Sequence, residues 1–324
     1  MSYKKILIYN SGGGLGDSIQ LFSFILTLKN FFKEGEIYYL SSHDNHYIGK
    51  LKNYNVSVKN LDLNLKYFGF RWWHIFKVKN QFSKLNLEKF DLIIDLQSKL
   101  RNTLILKRLP TKKFYSSTFK FLFCSNKADY IYKNNIAEMT LLNLEKFLGT
   151  KIKRMDYKLD NLNKIYVDEA KRLLPDDNYI GFSLTQGNKY RKKSWPLDNF
   201  VSLAKKVISM KKKPVFFVEK SNKEIVNKIK TEVKESLFPE HDSNLAGPAL
   251  VTALASRLEK AISIDNGVMH MMSLSSVPMI VLFGPTNSKK FAPKQENLKI
   301  LDSKEIYGVK DVSKIKIEDV LKIL

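Results

Sequence analysis

Short apolar runs alternate along the chain with stretches whose apolar positions recur every three or four residues. The first pattern suits buried strands and the second amphipathic helices. In the first half, residues 5–9, 37–40, 56–58 and 91–95 read as strands, and residues 18–32 open the helical stretches between them. The rhythm starts again in the second half. Residues 179–185, 214–218, 261–264 and 279–283 read as strands, and 199–210, 222–236 and 269–276 as helices. Such alternation predicts parallel sheets covered by helices, an α/β fold. Residues 151–163 are polar and lack clean periodicity, so the linker falls there and the domains are 1–157 and 158–324. Two α/β domains of near-equal size imply a cleft, with ligands held beyond the carboxyl ends of the strands. The last stretch, 313–324, reads as a short amphipathic helix with Ser313 as its N-cap.

Composition refines this picture in three places. No apolar run reaches the ~18 residues of a membrane span, and the run beginning at Ile6 is shorter than the roughly 7–15 residues of a signal-peptide core. A cytoplasmic location is therefore expected. The single cysteine, Cys124, excludes an internal disulfide and a cysteine-based metal site, and its neighbours Phe119, Phe121, Leu122 and Phe123 suggest a buried, inert thiol. The net charge of +23 attracts polyanions. Lysine supplies most of it, while arginine, which makes bidentate contacts to bases, is scarce. An anionic membrane face or an anionic acceptor is expected, and no nucleic acid.

The first strand runs into Asn10-Ser11-Gly12-Gly13-Gly14-Leu15-Gly16-Asp17. A dinucleotide fingerprint needs G-x-G-x-x-G; Gly12 and Gly14 fit it, but Asp17 takes the third glycine position. A carboxylate there opposes a pyrophosphate. At a helix start it stays ionised and can accept a proton from an attacking hydroxyl. Capping of helix 18–32 is the competing role for Asp17.

In the second half, strand 261–264 leads into Asp265-Asn266-Gly267-Val268-Met269-His270 and an apolar helix. Strand, glycine turn and helix N-terminus together form an anion site. Asp265, an acceptor only, suits sugar hydroxyls. His270 can donate to a phosphate oxygen or pack against the turn. The loop after strand 179–185 carries Lys193-Ser194-Trp195-Pro196, with Pro196 in the first turn of a helix and Lys193 able to reach a phosphate.

Taken in order, these segments resemble a known family. Gly16-Asp17-Ser18-Ile19, Asp95-Leu96-Gln97 with Arg101-Asn102, Lys193-Ser194-Trp195-Pro196, Asp265 through His270 and Phe283-Gly284-Pro285-Thr286 look like landmarks of the ADP-heptose:lipopolysaccharide heptosyltransferases, glycosyltransferase family nine. The resemblance implies a GT-B architecture, two Rossmann-like domains facing across a cleft, with the acceptor on the N-terminal domain and the nucleotide-sugar on the C-terminal one. It implies an inverting, metal-independent transfer without a resident cofactor. Asp17 is then the base. Lys193 and the backbone of Asn266, Gly267 and Val268 hold the leaving diphosphate, with Thr185 or Gln186. Asp265 contacts the donor sugar, His270 lies on the donor side and Glu219 sits near the nucleoside. Gly14, Gln97 and Arg101 face the acceptor, an anionic glycolipid. Asn287 stands where the family carries an acid after its G-P-T turn.

Other classes stay open on the sequence alone. A nucleotide-sugar epimerase or a retaining transferase shares the fold. A non-catalytic polyanion-binding module fits the charge. A nicotinamide dehydrogenase is disfavoured by Asp17.

Overall fold

The structure is a computed structural model that describes residues 3–41, 44–65, 70–185 and 193–324. It divides into two units, Met1–Lys52 with Val56–Tyr157, and Lys158–Leu324 with Asn53–Asn55.

The first unit is built on β1 (Lys5–Asn10), β2 (Glu36–Ser41), β3 (Lys59–Asn60), β4 (Phe90–Asp95) and β5 (Thr111–Ser116), in the order β3-β2-β1-β4-β5. Every pairing is parallel, with Ile6 opposite Ile37 and Leu92. Ile6, Leu7, Ile8 and Tyr9 are all fully buried. A strand covered on both faces has no polar side, which is why β1 reads as an unbroken apolar run. Two expectations need correction here. Residues 56–58 form no strand, and the edge pairing falls on Lys59–Asn60 instead. The helix expected over 18–32 is two helices, Leu15–Ile19 and Phe22–Phe31, broken at Gln20 and Leu21. Asp17 therefore lies inside the first turn of the first helix. Strand β5 breaks the apolar pattern because its opening residues are polar, with Thr111 and Lys113 half-buried and Lys112 exposed at the sheet edge.

After β5 the backbone takes three consecutive left-handed residues, Phe119, Lys120 and Phe121, with φ of 47°, 52° and 63°. This conformation costs roughly 1–2 kcal/mol per non-glycine residue. Phe121 is buried against Tyr115 and Tyr130, which anchors the turn. Cys124 is buried, and its thiol contacts the backbone of Ser116.

The second unit carries β6 (Tyr179–Ser183), β7 (Lys213–Phe217), β8 (Lys260–Ile264), β9 (Met279–Phe283) and β10 (Leu298–Asp302), in the order β10-β9-β8-β6-β7, again all parallel. Phe182 is fully buried at its centre, stacked on Phe216 at 5.0 Å. Edge strand β10 was also missed, since Lys299 and Ile300 on it are exposed. The indole of buried Trp195 donates to the carbonyl of Ile315 at 2.8 Å, tying the C-terminal segment to the core. That segment is a 3-10 turn, Val312–Lys314, followed by a helix, Ile317–Leu321. Ser313 thus lies within the turn and does not cap the helix. Pro196 occupies the N-cap position of helix Leu197–Ser209, one residue before its expected place. Asn53–Asn55 complete this unit through Tyr54, whose hydroxyl meets that of Thr252 at 2.8 Å.

The two strand orders differ. The first sheet has the order 3-2-1-4-5; counted within its own unit, the second has 2-1-3-4-5. Both are doubly wound, and each has its switch point beside its first strand, where such sheets bind ligands.

Candidate active site

In the first unit, the switch point lies between the ends of β1 and β4. The Asn10 side chain accepts the N–H of Gly12 at 3.0 Å and a hydrogen bond from the Gln97 amide at 2.8 Å. It thereby joins the glycine loop to the segment after β4. Asp17 is exposed and accepts the N–H of Gly14 at 3.3 Å. A Cβ on Gly12 would come within 2.9 Å of the Asp17 Cβ, and one on Gly14 within 3.2 Å of its Oδ2. These glycines make room for an acid to fold over the loop. His46 Nε2 lies 3.2 Å from the Gly13 carbonyl, a contact that a separation of 33 positions in the sequence conceals.

Asp95, at the end of β4, organises the floor beneath Gln97. It accepts from the Thr103 and Ser116 hydroxyls at 2.6 and 2.9 Å and from the Gln97 N–H at 2.9 Å. Burial pushes its carboxyl up to about 6, against the pull of those hydrogen bonds. Arg101 is half-buried in helix Leu100–Leu106, on the element that follows Gln97.

In the second unit, the switch point lies between β6 and β8. The Asn266 side chain accepts the N–H of Met269 at 2.8 Å and donates to the Ser183 hydroxyl and the Thr185 carbonyl, both at 2.8 Å. One amide thus caps helix Gly267–Ser273 and fixes both strand ends. Asp265 forms an ion pair with Lys193 and accepts from the Thr286 hydroxyl at 2.5 Å. Thr286 reaches it because the turn at Gly284 packs tightly on Val312, where a Cβ would meet the Val312 nitrogen at 2.5 Å. Gly267 is exposed, and an added Cβ there would meet nothing within 4 Å, so protein packing does not demand glycine at this position. Val268 is half-buried beside it. His270 is buried, and burial pushes its imidazole down to about 4, so it is neutral at pH 7.

Glu219 is exposed just beyond β7. Sequence reasoning missed its neighbour Glu240, whose carboxyl burial and the Glu219 charge push up to about 7. No local pattern marks Glu240, which lies in a short 3-10 turn, Pro239–Asp242. The candidates form two groups, Gly14, Asp17, Gln97 and Arg101 in the first unit and Thr185, Lys193 and 265–270 in the second, with Glu219 beyond β7. Gln186 lies outside the described residues. A cavity of about 570 Å3 lined by Tyr3, Phe32, Lys113 and Thr150 lies by the start of β1, at the amino end of the strands, and contains none of the candidates.

Two doubly wound units, one with an acid on a glycine loop and the other with a lysine–aspartate pair at its switch point, fit a GT-B glycosyltransferase. The family model for glycosyltransferase family 9 (heptosyltransferase) matches residues 79–322, and the chain belongs to that family. Three solved structures share its fold. A glycosyl transferase family 9 protein from Veillonella parvula DSM 2008 is 20% identical, with 99% of this chain and 97% of that one covered at a TM-score of 0.71. E. coli heptosyltransferase WaaC with ADP-2-deoxy-2-fluoro heptose is 13% identical, with 98% of each chain covered at 0.68. E. coli ADP-heptose lps heptosyltransferase II is 13% identical, with 98% and 96% covered at 0.66. No curated protein matches the chain by sequence. No helix among the described residues is long and apolar enough to cross a membrane.

Proposed function

We propose that this glycosyltransferase moves heptose from ADP-heptose to a lipopolysaccharide core or a related anionic glycolipid, with inversion and without a metal or resident cofactor, at the cytoplasmic face of the inner membrane. The observation that carries the reading is the cluster of Lys193, Asp265, Asn266 and Thr286 at the second switch point, in a chain of the heptosyltransferase family. In the WaaC relative the bound molecule is an ADP-heptose analogue.

The acceptor hydroxyl attacks the anomeric carbon of the sugar, and Asp17 takes its proton. The bond from that carbon to the diphosphate oxygen breaks, and ADP leaves with the electron pair. Its new charge is met by the Lys193 ammonium. The first N–H groups of helix Gly267–Ser273, at Gly267 and Val268, lack intrahelical partners and add to this. Asp265, already an acceptor of hydrogen bonds, turns to donor-sugar hydroxyls. Glu219 serves the nucleoside, His270 supports the donor turn, and Thr185 with Gln186 borders the phosphates. Gly14, Gln97 and Arg101 position the acceptor.

The test has two stages. Thermal stabilisation by ADP, UDP, GDP, CMP and NAD at matched concentration comes first; a ligand at ~100 times its dissociation constant adds about 2.7 kcal/mol. Stabilisation by ADP but not by UDP or GDP is expected. Incubation with ADP-heptose and a lipid-linked core acceptor then yields a product whose anomeric configuration is read by NMR. Retained configuration or a free epimerised sugar overturns the proposed chemistry. Stabilisation by UDP or GDP alone overturns the donor.

A further inference from the structure

Three large apolar side chains stand exposed around the start of helix His74–Ser83: Trp72 at 53%, Trp73 at 49% and Phe76 at 82%. The same helix buries His74, Val78 and Phe82 on its other side, so this exposure does not reflect loose packing. From Phe70 to Leu87 the chain carries four basic residues, Arg71, Lys77, Lys79 and Lys84, and no acidic one. A second exposed pair, Phe119 at 61% and Leu122 at 60%, stands on the left-handed turn after β5. Helix Leu100–Leu106 packs against helix His74–Ser83 and also against the turn region Thr118–Phe121. Both exposed groups thus stand on elements that touch one helix, which is followed by exposed Lys107 and Arg108.

We infer that this face of the first unit is a docking surface for an anionic lipid bilayer, with Trp72, Trp73 and Phe76 entering the headgroup region and the surrounding lysines and arginines held at the lipid phosphates. Tryptophan and phenylalanine on a basic surface match the chemistry of that interface, where amphipathic rings bury their apolar part. Acidic lipid headgroups complement a segment that has only positive charge. Helix His74–Ser83 packs on helix Leu100–Leu106, which carries Arg101, so the docking segment adjoins the helix proposed to meet the acceptor. This inference deepens the proposed function by naming where a lipid-linked acceptor is met, and it rests on that reading only for the acceptor.

The test uses the full chain and phosphatidylcholine vesicles with or without phosphatidylglycerol, without acceptor or donor. Trp195 is buried, so among the three tryptophans a change of emission on mixing reports Trp72 and Trp73. The expected result is flotation with the anionic vesicles, a blue shift of emission and weakening by salt. The combined change Trp72→Ser, Trp73→Ser and Phe76→Ser should lower partitioning at least about tenfold, given what burial of each such side chain contributes. Its melting temperature and ADP-induced stabilisation serve as checks on folding. Should the combined variant fail to fold, Phe76→Ser alone, at the most exposed position, should lower partitioning about threefold. Wild-type failure to bind anionic vesicles, or unchanged binding in the folded variant, overturns the inference. So does a vesicle-independent dimer that the variant disperses, since the face then meets a second copy. Absence of sugar transfer by the wild type in the separate assay with donor and acceptor, with vesicle binding intact, overturns only the proposed function.

Discussion

Lys193 and Asp265 are ion-paired with side chains only 14% and 8% exposed, and Thr286 donates to the same carboxylate oxygen. The lysine that is proposed to meet the leaving diphosphate is thus paired with an acid of its own unit. A buried pair of this kind is poorly compensated when one partner goes, because the other charge stays behind. Lys193→Met should lower unfolding stability by about 3–5 kcal/mol and kcat/KM by roughly a hundredfold or more. Adding Asp265→Asn to Lys193→Met should recover much of the stability but none of the activity. Urea denaturation of the two single variants and the double variant, set out as a thermodynamic cycle, checks this. Equal stability of Lys193→Met and wild type would show that the pair is not coupled.

Asn266 does three things with one side chain. It caps helix Gly267–Ser273 and it holds Ser183 and Thr185. Loss of a cap alone costs about 1 kcal/mol, and each unmet partly buried partner adds to that. Asn266→Ala should therefore cost about 2–3 kcal/mol and weaken ADP binding through the displaced loop. Asn266→Asp should retain the cap and lose the two donated bonds, giving an intermediate stability. Denaturation midpoints of both variants provide the measurement.

The same residues show what a sequence can and cannot reveal. Buried central strands were legible because β1, β4, β6, β8 and β9 are apolar on both faces and cannot be mistaken for surface. Edge strands β5 and β10 were not, since exposed Lys112 and Lys299 and half-buried Lys113 break the pattern. The helix break at Gln20 and Leu21 has no proline or glycine to announce it. Asp17 and Asp265 through His270 could be singled out because their chemistry is local, an acid or an asparagine at a glycine turn. Asp95 could be noticed as part of a motif, but its role as acceptor for Thr103 and Ser116 depends on partners 8 and 21 residues away. Glu240 and His46 gave no signal, because each acts on a segment brought near only by folding.

Asp17 offers a sharper test of the chemistry. It is exposed, and among the described residues its hydrogen bond is the one from the Gly14 N–H. Asparagine can accept that bond as well, and the charge lost from the first turn at this exposed site costs only about 0.3 kcal/mol. Asp17→Asn should leave the melting temperature and ADP affinity unchanged while lowering kcat at least about a hundredfold, the low end of general-base contributions. Single-turnover transfer and calorimetric ADP binding measured on one preparation separate the two effects. Full activity in the variant would leave Asp17 as a cap and move the base elsewhere.

His270 contributes an acid-sensitive component to the stability of the second unit. Its imidazole is pushed down to about 4 by burial, from an ordinary value of 6.5, with the Asp265 charge opposing the shift and Lys193 adding to it. Above pH 6.5 it is neutral in both folded and unfolded chains and contributes nothing to the slope. Between 6.5 and 4 the unfolded chain binds a proton that the folded chain refuses, so stability falls as pH falls. Asp95 and Glu240 act in the opposite sense. Their folded carboxyls, at about 6 and about 7, hold protons that the unfolded chain has lost, so stability rises as pH falls through those values. The wild-type profile blends these opposing slopes, and only a difference isolates the histidine. His270→Gln does not titrate. The stability advantage of wild type over the variant should shrink by about 2 kcal/mol between pH 7.5 and pH 5, as read from urea denaturation at each pH. An advantage that stays constant across that range would mean that the folded protein accepts the proton at His270 as readily as the unfolded chain does.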